Sequence, residues 1–218
     1  MTEKGTWNLK TCWDFSKTLI NVDKDTEDSG IEDLTDRMYE KFIEKTYQVI
    51  RQLEEIGLPK KDQQIRLVTM RSFNAIHFIN YIAKKEVIEE LLVVVYSINA
   101  EAAKFLNEMI NNGIIEKATV LMSNLRNKAH REKEQITRDL FVGNKKIDLF
   151  FCSSHSKIIS MRTKNGNFYT IEGSGNLSYN SRVENYVLDN DEGLFDFTKI
   201  WMNDVKTYLK GKKELILT

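Results

Sequence analysis

The chain of 218 residues predicts an α/β fold, a mixed β-sheet flanked by helices with a helical N-terminal extension, on three observations. First, the apolar runs IRLVTM (65–70), LLVVVY (91–96) and KATVLM (117–122) alternate with segments of helical character. Unbroken apolar runs suit strands buried on both faces, and strand–helix alternation implies right-handed crossovers between parallel strands of one sheet. Second, IISMRT and NFYTIEG are separated only by KNGN, and an Asn-Gly turn with positive φ angles makes them an antiparallel hairpin. Third, EGLFDFTKIWMNDVKTYL (192–209) closes the chain as an amphipathic helix bearing Phe195, Ile200, Trp201 and Leu209.

Taken in order, residues 1–33 are polar and rich in acids, without apolar periodicity, and read as a loop or loosely attached arm that Phe15, Leu19 and Ile20 could dock. From 34 to 56, Leu34, Met38, Phe42, Tyr47, Ile50 and Leu53 recur at helical spacing. GLPKK stops that helix, with Gly57 as the C-terminal signal and Pro59, the only proline, just beyond. The chain therefore divides into an arm and helix over 1–62 and a main domain over 63–218. Within the domain, HFINYIAKKEV and AEAAKFLNEMINNG are the crossover helices, and RNKAHREKEQITRDLF is a surface helix leading into the strand KIDLFF (146–151). VENYVL (183–188) is a further strand. Ser72, Asn74, Asn99 and Asn124 follow strand ends, where they cap helices or face the ligand side of an α/β sheet.

Composition narrows the function. No run approaches the roughly 18 apolar residues of a membrane helix, and MTEKGTWNLKTCWDFSK lacks the basic and apolar regions of a secretory signal. A cytoplasmic protein with no membrane partner is expected. Cys12 and Cys152 have no C-x-x-C spacing, so neither a disulfide framework nor a zinc knuckle is supported. Net charge is zero but uneven. Residues 1–57 hold 8 Lys/Arg against 13 Asp/Glu, or −5, and 117–146 holds 8 against 3, or +5. The basic stretch is either an attractor of polyanions or a solvated helix face.

The chemistry concentrates in HSKIISMRTKNGNFYTIEGSGN (155–176). On a strand, His155 and Lys157 would share a face, as would Ser174 and Asn176, and the hairpin would return the second pair to the level of the first. Such a set suits a phosphate: lysine supplies charge, serine and asparagine donate hydrogen bonds, and Gly173 and Gly175 let the backbone come close. Histidine can attack phosphorus or move a proton near neutral pH. No carboxylate cluster accompanies these residues, so neither a metal nor another cofactor is expected.

H-S-K followed by G-S-G-N and SYNSRVENYVL resembles the H-x-K…G-S-x-N signature of the phospholipase D superfamily, and the element order over about 63–210 is similar to one repeat of that fold. The resemblance implies a phospholipase D-like domain in which His155 forms a phosphohistidine, Lys157 and Asn176 clamp the phosphate, and Ser174 supports them. Glu184 falls where several single-motif members carry a carboxylate that orients the histidine. The family's usual aspartate, five residues after the lysine, is here Arg162, a residue that could contact a polyanionic substrate. The chain has no second H-x-K, since His77 and His130 lie outside any such motif. The resemblance therefore implies a homodimer that builds one site from two His155 residues.

The expected activity is that of a metal-independent endonuclease, with nucleic acid as partner and DNA ahead of RNA. The alternatives are a phospholipase or phosphatidyl transferase, or a silent binding module of the same fold. The acidic 1–62 region is expected to cover the groove, extend the dimer interface or bind a partner.

Overall fold

A computed structural model describes residues 53–70, 74–124, 128–178 and 183–216. The arm, most of the first helix and Ser72 lie outside them. The end of that helix is seen at 53–56, where Leu53 is buried and its carbonyl accepts from the Tyr81 hydroxyl at 2.8 Å. Gly57 terminates it as expected, with a φ of 80° and its N–H on the Leu53 carbonyl at 2.8 Å.

The strand β1 (Gln64–Met70) is followed by α1 (Ile76–Ala83), β2 (Ile88–Val95), α2 (Ala100–Asn111), β3 (Ala118–Ser123) and α3 (Lys128–Phe141). Then come β4 (Ile147–Cys152), β5 (Ile158–Thr163), β6 (Phe168–Gly173), β7 (Val183–Asn190) and α4 (Glu192–Ile216). Seven strands form one mixed sheet in the order β1-β7-β6-β5-β2-β3-β4. Strands β2, β3 and β4 are parallel neighbours, and every other pairing is antiparallel.

Strand β2 shows why this sequence makes a layered molecule. Its residues alternate between faces, and both faces are covered. Leu91, Val93 and Val95 pack with α1 and α2 through Phe78, Ile82, Leu106 and Ile110. Leu92 and Val94 join Leu121 and the α4 residues Phe195 and Met202 on the other side. All five β2 residues are at most 2% exposed, and burying each such side chain contributes roughly 1.5–3 kcal/mol. That double burial is what turns an alternating pattern into an unbroken apolar run.

Two expectations change. Strand β1 points the same way as β2 but is not its neighbour. It pairs with β7 at the edge, Leu67 opposite Tyr186, because the antiparallel strands β5, β6 and β7 occupy the places between. The β5–β6 turn has Gly166 at φ 77° but no positive φ at Asn165. Thr163 N donates to Asn167 O at 2.9 Å and Gly166 N to Thr163 O at 3.1 Å, a three-residue loop with one left-handed glycine rather than a two-residue Asn-Gly turn. Among the expected caps, Asn99 accepts from Ala102 N at 2.9 Å at the start of α2, and Asn74 accepts from Ile76 N at 3.0 Å before α1.

Candidate active site

The strand directions bring the carboxyl ends of β1, β2, β3, β4 and β6 to one pole, together with the amino ends of β5 and β7. Crevices at that end are where open α/β sheets bind ligands. His155 and Lys157 lie here, in the link between β4 and β5 and not on a strand. They meet because the Lys157 side chain folds back, its Nζ donating to the His155 carbonyl at 2.7 Å and standing 3.3 Å from Nδ1. An ammonium only donates, so Nδ1 is the acceptor and a neutral imidazole in this arrangement carries its proton on Nε2.

The G-S-G-N half arrives from β6. Ile158 faces Glu172, and Gly173 N donates to the Lys157 carbonyl at 3.4 Å, which sets the two halves level. From there the chain passes over the start of β5 to the end of β2. Asn176 Oδ1 accepts from Tyr96 N at 3.0 Å, Asn99 N donates to Leu177 O at 2.9 Å, and the Ser97 and Ser178 hydroxyls lie 3.2 Å apart. With its oxygen on Tyr96 N–H, the Asn176 carboxamide keeps its two N–H donors at the other end of the group. Leu177, fully buried, anchors this crossing to the core.

Ser174 and Glu184 form a second layer. The Ser174 hydroxyl donates to Glu184 Oε2 and accepts from Asn185 N at 3.1 Å. Its proton lies on a carboxylate that is 4% exposed. Glu184 meets Ser174 through Oε2. Burial holds the Lys157 ammonium below the usual lysine range, and the Glu184 charge acts in the opposite direction. Glu184 thus reaches Ser174 by a hydrogen bond and Lys157 through its charge.

The glycines have a packing reason. A Cβ on Gly173 would fall 2.2 Å from Asn185 O, and one on Gly175 would fall 1.9 Å from the Tyr186 hydroxyl. β7 makes this close approach. Arg162 is placed away from the site, at the far end of β5, where its Nε pairs with Glu89 at 3.0 Å and its NH2 lies 3.7 Å from buried Glu90. Those two carboxylates are its ion-pair partners among the described residues. The basic stretch is also split between poles: Lys117, Lys145 and Lys146 stand at the opposite end of β3 and β4 from His155, and Lys117 pairs with Glu90 at 3.3 Å. His77 lies on α1, and burial takes its imidazole down to about 4.

One residue at the site escaped the sequence reading. Tyr96 follows β2 directly, its ring 5.2 Å from the His155 ring at 57° and 5.8 Å from Lys157 Nζ. As the last letter of LLVVVY it reads as core, and only an aromatic residue at the carboxyl end of a buried strand hinted otherwise. Among the described residues, no group of three or more His, Cys, Asp or Glu converges on a possible metal position, and no helix is long and apolar enough to cross a membrane.

No protein-family model matches this chain, and no curated protein sequence matches it. Solved structures do. A phospholipase D family member, Nuc from Salmonella typhimurium, has a TM-score of 0.46 and 17% identity, over 65% of this chain and 93% of its own. Polyphosphate kinase from Porphyromonas gingivalis has a TM-score of 0.44 and 11% identity, over 64% of this chain and 22% of its own. Yeast tyrosyl-DNA phosphodiesterase has a TM-score of 0.37 and 13% identity, over 58% and 32%. The chain thus spans well under half the length of the last two, and all three are distant in sequence.

Proposed function

We propose that the protein is a phosphodiester hydrolase of phospholipase D-like type, acting on nucleic acid without a metal, with DNA as the preferred substrate. The observation that carries this reading is the junction of His155, Lys157 and Asn176 at the carboxyl pole of the sheet: a nucleophile, a cation and an oriented pair of amide donors. The phosphate draws the Lys157 ammonium from Nδ1 onto a non-bridging oxygen, with Asn176 on another. Once Nδ1 rather than Nε2 carries the proton, Nε2 attacks phosphorus, the N–P bond forms, and the bond to the leaving oxygen breaks. That oxygen takes a proton from a second imidazole, which then removes one from the water that releases His155.

The second imidazole is His155 of another copy in a homodimer. To protonate the leaving oxygen, that imidazole must start as the doubly protonated imidazolium and end neutral, ready to take a proton from the water. Identical residues can thus serve two roles through two protonation states.

The test is cleavage of labelled single-stranded DNA, duplex DNA and RNA in excess chelator. The parent protein is expected to cut DNA, and His155→Ala to lose at least about 10³-fold in rate, the order found when a nucleophile is removed. Cleavage that survives in His155→Ala, or that stops in chelator, overturns the reading. Cleavage of none of the three by a confirmed dimer points to a lipid or other small phosphodiester, or to binding without turnover.

A further inference from the structure

Resting on the hydrolytic reading of the site, the geometry points to a further residue: we infer that the Tyr96 ring is the positioning residue for His155, holding the imidazole in its attacking orientation. The need for such a residue follows from where His155 sits. It is exposed, it lies in the link between β4 and β5, and nothing in strand geometry fixes its side chain. Exposed side chains change rotamer in picoseconds to nanoseconds, whereas attack on phosphorus requires a near-attack geometry, with a misplacement of 1 Å costing on the order of 10²-fold.

The carboxylate expected to orient this histidine holds the Ser174 hydroxyl. The polar partner that His155 does have is Lys157, and Lys157 must leave Nδ1 to engage the phosphate. At that moment the hydrogen bond to the ring seen among the described residues is gone. Tyr96 is the wall that remains, 5.2 Å from the imidazole centroid and tilted by 57°, a tilted aromatic contact within the favourable range.

Tyr96 is itself well fixed. It directly follows Val95, which is fully buried, and its main-chain N–H is bonded to Asn176 Oδ1. The same residue thus aligns the phosphate clamp with its backbone and the nucleophile with its ring, and a group carried at the end of a central strand is placed more precisely than one on a loop. Because the Asn176 bond uses the backbone, substituting the side chain removes the ring and leaves the clamp in place.

The experiment compares Tyr96→Phe and Tyr96→Leu with the parent in steady-state cleavage, and follows the His155 ring proton by NMR, assigned against His155→Gln. Tyr96→Phe is expected to stay within about twofold of the parent in kcat, while Tyr96→Leu loses about tenfold or more in kcat with KM little changed. The His155 resonance is expected to move and broaden in Tyr96→Leu only. Tyr96→Met replaces the leucine variant if that one does not fold. An unmoved resonance with unchanged kcat overturns the proposal, and so does a rise in KM alone, which would make the ring a surface on which substrate stacks. If the parent protein hydrolyses no phosphodiester, the hydrolytic reading falls while the resonance still decides whether Tyr96 positions His155.

Discussion

His77 and His155 show how far one residue type is governed by its surroundings. His155 is exposed at the pole of the sheet, while His77 sits within α1, where burial disfavours the imidazolium and takes the pKa from 6.5 to about 4. The sign of the linkage follows. Between those values the unfolded chain binds a proton that the folded chain does not, so stability is complete above about pH 6.5 and declines as pH falls towards 4. The shift limits the loss to about 3 kcal/mol. His77→Gln is therefore expected to lower Tm less between pH 7 and pH 4.5 than the parent does, as measured by thermal unfolding across that range. An equal drop in both proteins would assign the acid sensitivity to carboxylates. Surroundings also set the Ser174 hydroxyl, which donates to Glu184 and accepts from Asn185 N.

The end of β6 shows how an element can place a site without touching the substrate. Gly173 and Gly175 allow β7 to lie against the G-S-G-N segment, with Asn185 O and the Tyr186 ring in the space two side chains would fill. Tyr186 is 2% exposed and meets Phe78 edge-on at 5.0 Å, so it cannot swing away freely. Gly173→Ala is expected to cost about 2 kcal/mol or more, the range of overpacked positions, because the obstacle is backbone. Gly175→Ala should cost a similar amount alone and be partly rescued by Tyr186→Leu, which shortens the obstructing side chain. Chemical denaturation of the two singles and the double measures the coupling. Additive costs would mean that the tyrosine is not what the glycine accommodates. At the opposite end of the sheet, Glu90 gathers Lys117, Lys199 and Arg162. Burial raises its carboxyl, but Lys199 and Lys117 outweigh that and hold it below the usual range. The arginine five residues after Lys157 takes part in this ion cluster.

At the scale of the molecule, the single H-x-K leads to a test of assembly. If one reaction needs two His155 residues, mixed dimers of parent and His155→Ala chains are inactive. Equal mixing with exchange should then leave about a quarter of the parent activity, against about a half if each chain works alone. Activity assayed after unfolding and refolding the mixture together distinguishes the two outcomes. Much of this molecule was legible in one dimension. The β2 and β3 runs, the helices between them, the Gly57 stop and the polar halves around 155–176 follow from hydrophobic period and from residues with few conformational alternatives, both of which act over a few neighbours in the chain. What only the tertiary structure decided depends on long-range pairing. The antiparallel strands β5, β6 and β7 separated β1 from β2, and the return of β6 carried Asn176 to Tyr96, a partner 80 residues away in the chain. The same packing assigned Glu184 to Ser174 and Arg162 to Glu89 and Glu90. Local sequence states which groups are available; which of them share their protons and charges is settled only when strands distant in the chain take their places in one sheet.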